Sequence, residues 1–156
     1  MKLSDLVCFE AIVPQLESSE RDGVISELVS KLEGTGKLGK AKAAEITKAV
    51  IKRENEASTG IGKGVAIPHV KHEAIEDVVV AVGCCGGGID FSSLDKQPVY
   101  SVILLLSPEG QAERHLQAME TIFKNLQKDD FRRFLRQAQT VESVKDVILE
   151  ADENSS

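Results

Sequence analysis

The chain has 156 residues, is 42% hydrophobic and 28% charged, and carries a formal net charge of −6. That length supports one domain with a sizeable core, and the acidic balance excludes nucleic acid as the main ligand, since a phosphate backbone calls for a basic face. No run approaches the roughly 20 apolar residues of a membrane span, so no stable membrane insertion is expected.

In chain order, residues 6–16 are apolar but interrupted by Pro14, which predicts a short edge strand because proline cannot donate to a sheet ladder. Ser19, with Asp22 three residues on, predicts a capped helix carrying Val24, Ile25, Leu28, Val29 and Leu32 at helical spacing. Gly34-Thr-Gly36 ends it. A second helix is expected over about 40–54, with Ala43, Ile46, Val50 and Ile51 on one face. A glycine-rich turn leads to a strand over 65–67, and residues 70–77 read as a polar loop. Val78–Val82 is a β-branched run that predicts a strand buried on both faces, closed by the glycines of 83–88. Ile89–Phe91 suggests a short strand, and Val99–Leu106 a second strong one stopped by Ser107-Pro108.

The remainder reads as helical. Leu116, Met119, Ile122, Phe123 and Leu126 define one amphipathic helix. Asp129 and Asp130 suit the start of another, and Thr140 caps a last one bearing Val141, Val144, Val147 and Ile148. The expected organisation is an α/β single layered domain over residues 1–150, a mixed β-sheet flanked by helices on both faces, followed by a disordered tail over 151–156. Met1-Lys-Leu-Ser-Asp-Leu6 lacks the apolar stretch of a signal peptide, and Cys8, Cys84 and Cys85 make no disulfide framework. A cytoplasmic setting is the simplest expectation.

The stretch from Arg53 to His69 organises the functional reading. Gly60-Ile-Gly62-Lys-Gly64 invites two phosphate motifs and fits neither. A P-loop needs Ser or Thr where Gly64 stands and Gly where Ala57 stands, and a dinucleotide fingerprint needs Gly where Val65 stands. A turn that requires positive φ is the plain alternative. The stretch ends in Pro68-His69, which presents an imidazole at a strand end. His115 lies at the margin of a buried helix face near a helix N-terminus, placed either to meet an anion or as a partly buried surface residue. His69-x-x-His72 with His115, or with Cys84-Cys85, is the metal-binding alternative, but His-x-x-His on a loop is a weak signal and adjacent cysteines chelate one ion poorly.

Arg53-Glu54, Ser58-Thr-Gly-Ile-Gly62 and Ala66-Ile-Pro-His69, with His115-Leu116 opening a helix after Ser107-Pro108, resemble the active-site signature of the type 2 IIA domains (fructose, mannitol, nitrogen-regulatory) of the phosphoenolpyruvate-dependent phosphotransferase system. The resemblance spans about residues 3–150 and implies a mixed sheet flanked by helices. It implies a phosphotransferase component in which His69 accepts a phosphoryl group from a histidine phosphocarrier protein. A IIB domain or a regulated protein is then the acceptor. His115 is implied as the neighbour that hydrogen-bonds the phosphoryl group, Arg53 as the cationic clamp, and Thr59, Gly60 and Gly62 as phosphate-binding. No metal or cofactor is implied, since arginine and backbone donors supply the countercharge. With no IIB or membrane segment in the sequence, the nitrogen-regulatory branch is expected. One position departs from the pattern: Val70 stands where the family usually has a small residue, often glycine. It motivates the alternative of a non-catalytic regulatory protein-binding module with impaired transfer.

Overall fold

The computed structural model describes residues 1–153. Among these, a short helix α1 (Leu3–Leu6) precedes β1 (Val7–Val13), then α2 (Arg21–Gly34) and α3 (Ala43–Glu56). Four strands follow in quick succession, β2 (Gly60–Gly62), β3 (Val65–Ala66), β4 (His69–His72) and β5 (Val79–Ile89), then β6 (Val99–Pro108) and three helices, α4 (Ala112–Leu126), α5 (Asp129–Gln137) and α6 (Val141–Glu153).

The strands form one mixed sheet in the order β1-β5-β6-β3-β2, with β4 also against β6 beyond β3. β1 is an edge strand, parallel to β5, and Pro14 falls just past its end, where no ladder donor is needed. β5 and β6 are the antiparallel centre, and β3 and β4 both run parallel to β6, one after the other.

Alternation along the central strands divides the core in two. Val79, Ala81, Val102, Leu104 and Leu106 face α2 and α3, whose buried side chains include Ile25, Leu28, Ile46 and Val50. Val80, Val82, Ile103 and Leu105 face the other layer, where α1, α4, α5 and α6 contribute Leu3, Ile122, Leu135 and Ile148. β6 is apolar at every step from Val102 to Leu106 because neither face of that stretch meets water.

Several elements differ from the sequence-based expectation. The segment read as a loop after residue 69 begins with β4, whose four residues pair with Leu105–Pro108. That pairing is long-range, and a four-residue strand of mixed polarity carries no period of its own. The glycine turn is half strand: β2 pairs antiparallel with β3. β5 does not close at its glycines but runs to Ile89. Gly83 within it leaves room for Leu16, whose Cδ2 would lie 2.9 Å from a Cβ at that position.

Helix α2 starts at Arg21, and Ser18 rather than Ser19 makes the local turn, its Oγ accepting from Glu20 N at 3.2 Å. Thr140 does cap α6, its Oγ1 accepting from Ser143 N at 3.1 Å. Leu116, expected on the buried face of α4, is 58% exposed. The last helix continues to Glu153 with Ala151 buried against the second cluster, so the expected tail is helical over 151–153. The rest of that tail, 154–156, lies outside the described residues.

Leu105 is fully buried and paired in register with His69. Leu105→Ala is expected to lower unfolding stability by about 2–5 kcal/mol through the cavity it leaves, read as a shift in the urea midpoint at unchanged slope.

Candidate functional site

A chain of hydrogen bonds runs from the end of α3 to the imidazole of His69. Glu54, buried near the end of that helix, accepts from Thr59 N and from Thr59 Oγ1, each at 2.6 Å. The Thr59 carbonyl accepts from Ile67 N at 3.1 Å. The Ile67 carbonyl in turn lies 2.7 Å from His69 Nδ1. A carbonyl only accepts, so Nδ1 carries the ring proton and the lone pair stands on Nε2. Between these contacts, Pro68 breaks the ladder, and its carbonyl accepts from Leu105 N at 3.0 Å.

His115 approaches from the first turn of α4. Its ring centroid lies 5.6 Å from that of His69, the planes tilted by 48°. Its Nδ1 is 2.7 Å from Oγ of Ser107, a wholly buried residue near the end of β6. Arg53 reaches the same place from the last turn of α3, with one guanidinium nitrogen donating to the Ala57 carbonyl at 3.0 Å. Together with Lys52, Glu56 and Lys71, these three residues line a cleft of about 520 Å³.

Both imidazoles are held neutral. Burial lowers the pKa of His69, and the positive charges of Arg53 and Lys71 add to the effect, against the opposing pull of the Ile67 hydrogen bond and of Glu54. Burial, then His69 and Lys71, lower that of His115 to about 4. The result is a nucleophilic lone pair on one ring, a second neutral ring beside it, and cations at the margin. This combination suits a group that arrives with negative charge.

The other residues expected to bind phosphate are not part of this cleft. The donors of Thr59 are taken by Glu54, and Gly60 N donates to Ser58 Oγ at 3.0 Å. Gly60 is glycine for space: a Cβ there would lie 2.3 Å from Ser93 Oγ. Gly62 has φ +96 beside Asp95, whose carboxylate accepts from Lys63 N at 3.0 Å and so already fills the turn with an anion. Thr59 acts instead through Ile67, as a link in the chain that positions the imidazole.

Val70 borders the cleft, but its side chain packs against the α2–α3 core. Strand alternation sends it to the face opposite His69, so the β-branched side chain does not crowd the imidazole. His72 also lies on that opposite face. Its Nδ1 accepts from Ala74 N at 3.0 Å and its Nε2 sits 3.4 Å from a Glu45 carboxylate oxygen. Among the described residues, no group of three or more His, Cys, Asp or Glu is arranged to hold a metal ion, and no helix is long and apolar enough to cross a membrane.

Sequence reasoning missed Lys71, Ser107 and the positioning role of Glu54. Lys71 was hidden in the supposed loop, though its i, i+2 spacing from His69 would have placed both on one face of a strand.

Residues 7–151 match the family model for the phosphoenolpyruvate-dependent sugar phosphotransferase system, EIIA 2. The chain is 35% identical to the nitrogen regulatory protein of Bradyrhizobium diazoefficiens, over 95% of each protein. It is 34% identical to the fructose-specific EIIABC component of Bacillus subtilis, aligning 97% of this chain to 24% of that much longer protein. The crystal structure of the nitrogen regulatory protein IIA-Ntr from Neisseria meningitidis shares the fold, with TM-score 0.84 over 94% of this chain and 98% of that one at 24% identity.

The imidazoles resist protonation more when folded than when unfolded, so the unfolded chain binds the extra protons in acid. Stability is therefore expected to fall as pH drops from 6.5 through about 4, the interval over which His115 is displaced. His115→Gln should remove part of that slope. The ring of His115 followed by NMR should titrate near 4, and a midpoint in the ordinary imidazole range would contradict the burial argument.

Proposed function

Because the chain belongs to the EIIA 2 family of the phosphoenolpyruvate-dependent sugar phosphotransferase system, we propose that His69 is its phosphoryl acceptor, loaded by the phosphohistidine of a carrier protein. The observation that carries this reading is the convergence of Arg53, His69 and His115 on one cleft, with the Nδ1 contact to Ile67 leaving the His69 lone pair on Nε2. In the transfer, the Nε2 lone pair attacks phosphorus while the donor's N–P bond breaks and its electron pair returns to the donor imidazole. The His69 ring, now bearing Nε2–P and Nδ1–H, carries positive charge that the Ile67 carbonyl stabilises. Arg53 and His115 hold the phosphoryl oxygens. Chemistry of this kind asks the protein for positioning and charge compensation rather than for a metal.

The acceptor that follows is a IIB domain or a regulated protein. A cytoplasmic, nitrogen-regulatory role is the reading supported by likeness to the Bradyrhizobium relative. The rival, delivery to sugar uptake, draws on the Bacillus relative. Transfer from the phosphorylated protein to a fructose-type IIB domain separates them: rapid transfer favours the sugar role, and its absence the regulatory one. Val70 prompted the alternative of a transfer-incompetent binding module; its side chain borders the cleft but packs against the core, which favours the competent reading.

On mixing with phosphoenolpyruvate and the general phosphotransferase proteins, the wild type is expected to acquire one acid-labile phosphate. His69→Ala should acquire none, and equal labelling of the two would overturn the assignment. Arg53→Gln should slow labelling by about a hundredfold or more, the usual consequence of removing a donor aimed at transition-state charge. Val70→Gly should label at the wild-type rate; a marked gain would revive the binding-module alternative.

A further inference from the structure

We propose that Ser107 is a positioning residue for this phosphoryl transfer, its hydroxyl donating to His115 Nδ1 so that His115 presents a proton on Nε2 to the phosphoryl group. The inference rests on His69 being the acceptor and concerns how the second imidazole is made a donor.

Ser107 is wholly buried, and the imidazole is the hydrogen-bond partner of its hydroxyl among the described residues. His115 is neutral at ordinary pH, so one of its two nitrogens carries a proton. Two arrangements are open to the 2.7 Å contact. If Nδ1–H donated to Oγ, the serine proton would be left without an acceptor in a buried site, at the cost of an unsatisfied donor. The lone pair on Nε2 would then also face anionic phosphoryl oxygens. If Oγ–H donates to Nδ1, the hydroxyl proton has its acceptor, and Nε2–H is free to donate.

The sheet register delivers this geometry. Ser107 pairs with Lys71, two rungs beyond the pair of His69 with Leu105. Strand alternation therefore puts Ser107 on the face of His69, beneath the helix that carries His115. The hydroxyl supplies a directional contact that an apolar side chain at this buried position would not. His115 and His69 thus have opposite tautomers, each set by its Nδ1 partner. The Ile67 carbonyl makes one ring a nucleophile, and the Ser107 hydroxyl makes the other a donor.

The test uses the full chain in the labelling reaction and in 15N NMR of the unphosphorylated protein. Ser107→Ala is expected to label about tenfold more slowly, the kinetic equivalent of one ordinary hydrogen bond. KM for the phosphorylated carrier should be unchanged, and the His115 nitrogen shifts should move from the Nε2–H pattern to a tautomer mixture. Ser107→Thr, which keeps the hydroxyl, should preserve both rate and pattern where the isosteric Ser107→Val does not; this pair serves if the alanine variant fails to fold. An unchanged tautomer, or an unchanged rate, in folded hydroxyl-less variants overturns the role of Ser107 while leaving His69 as acceptor. A wild type that takes no phosphate at His69 overturns the acceptor reading, and this inference with it.

Discussion

The hydrogen bond from His69 Nδ1 to the Ile67 carbonyl is the constraint on which the site depends. A neutral imidazole has two tautomers, and only one leaves Nε2 able to attack. The bond selects that tautomer and aims the ring, and in the proposed transfer it stabilises the positive charge the ring acquires. It is itself held in place from a distance. Glu54 anchors Thr59, Thr59 anchors the Ile67 peptide, and Pro68 fixes the backbone between that peptide and the imidazole. Burying a carboxylate at the end of a helix is costly unless its oxygens are satisfied. Glu54 accepts from two donors of one residue and so becomes a rigid post rather than a liability.

The electrostatics of the cleft run against those of the chain. The protein is acidic, with a net charge of −6, yet Lys52, Arg53 and Lys71 gather at the histidines. Two neutral rings stand among three cations and the carboxylate of Glu56, a positive balance, and the burial that lowers the histidine pKa values also raises the worth of any negative charge brought there. The turn at 60–64 contrasts with it. It has the glycines of an anion-binding loop, but Asp95 already occupies the role an incoming phosphate would play.

Three residues show how a linear reading misjudges position. Val70 stands next to His69 in sequence and on the opposite face in space, because consecutive side chains of a strand diverge. Thr59 reads as a phosphate ligand from its place beside the glycines, yet both of its donors are spent on Glu54 and its contribution passes through the backbone. Ser107 reads as the stop of a strand, yet its hydroxyl lies 2.7 Å from the His115 imidazole.

The sequence by itself determined the layered α/β class, the long helices and the two central strands, which rest on local periodicity that a chain displays without being folded. Its resemblance to the IIA signature, rather than periodicity, named Arg53, His69 and His115 together as candidates. The tertiary structure alone decided that β4 exists, that the three candidates share one cleft, which nitrogen of His69 is free and which donors near the glycines are already taken. Each of these depends on partners remote in sequence, such as Leu105 for His69, Asp95 for Lys63 and Ser107 for Lys71. A hydrogen bond between distant segments has no period to read. It exists only once the sheet has closed and the pleat has assigned each side chain its face.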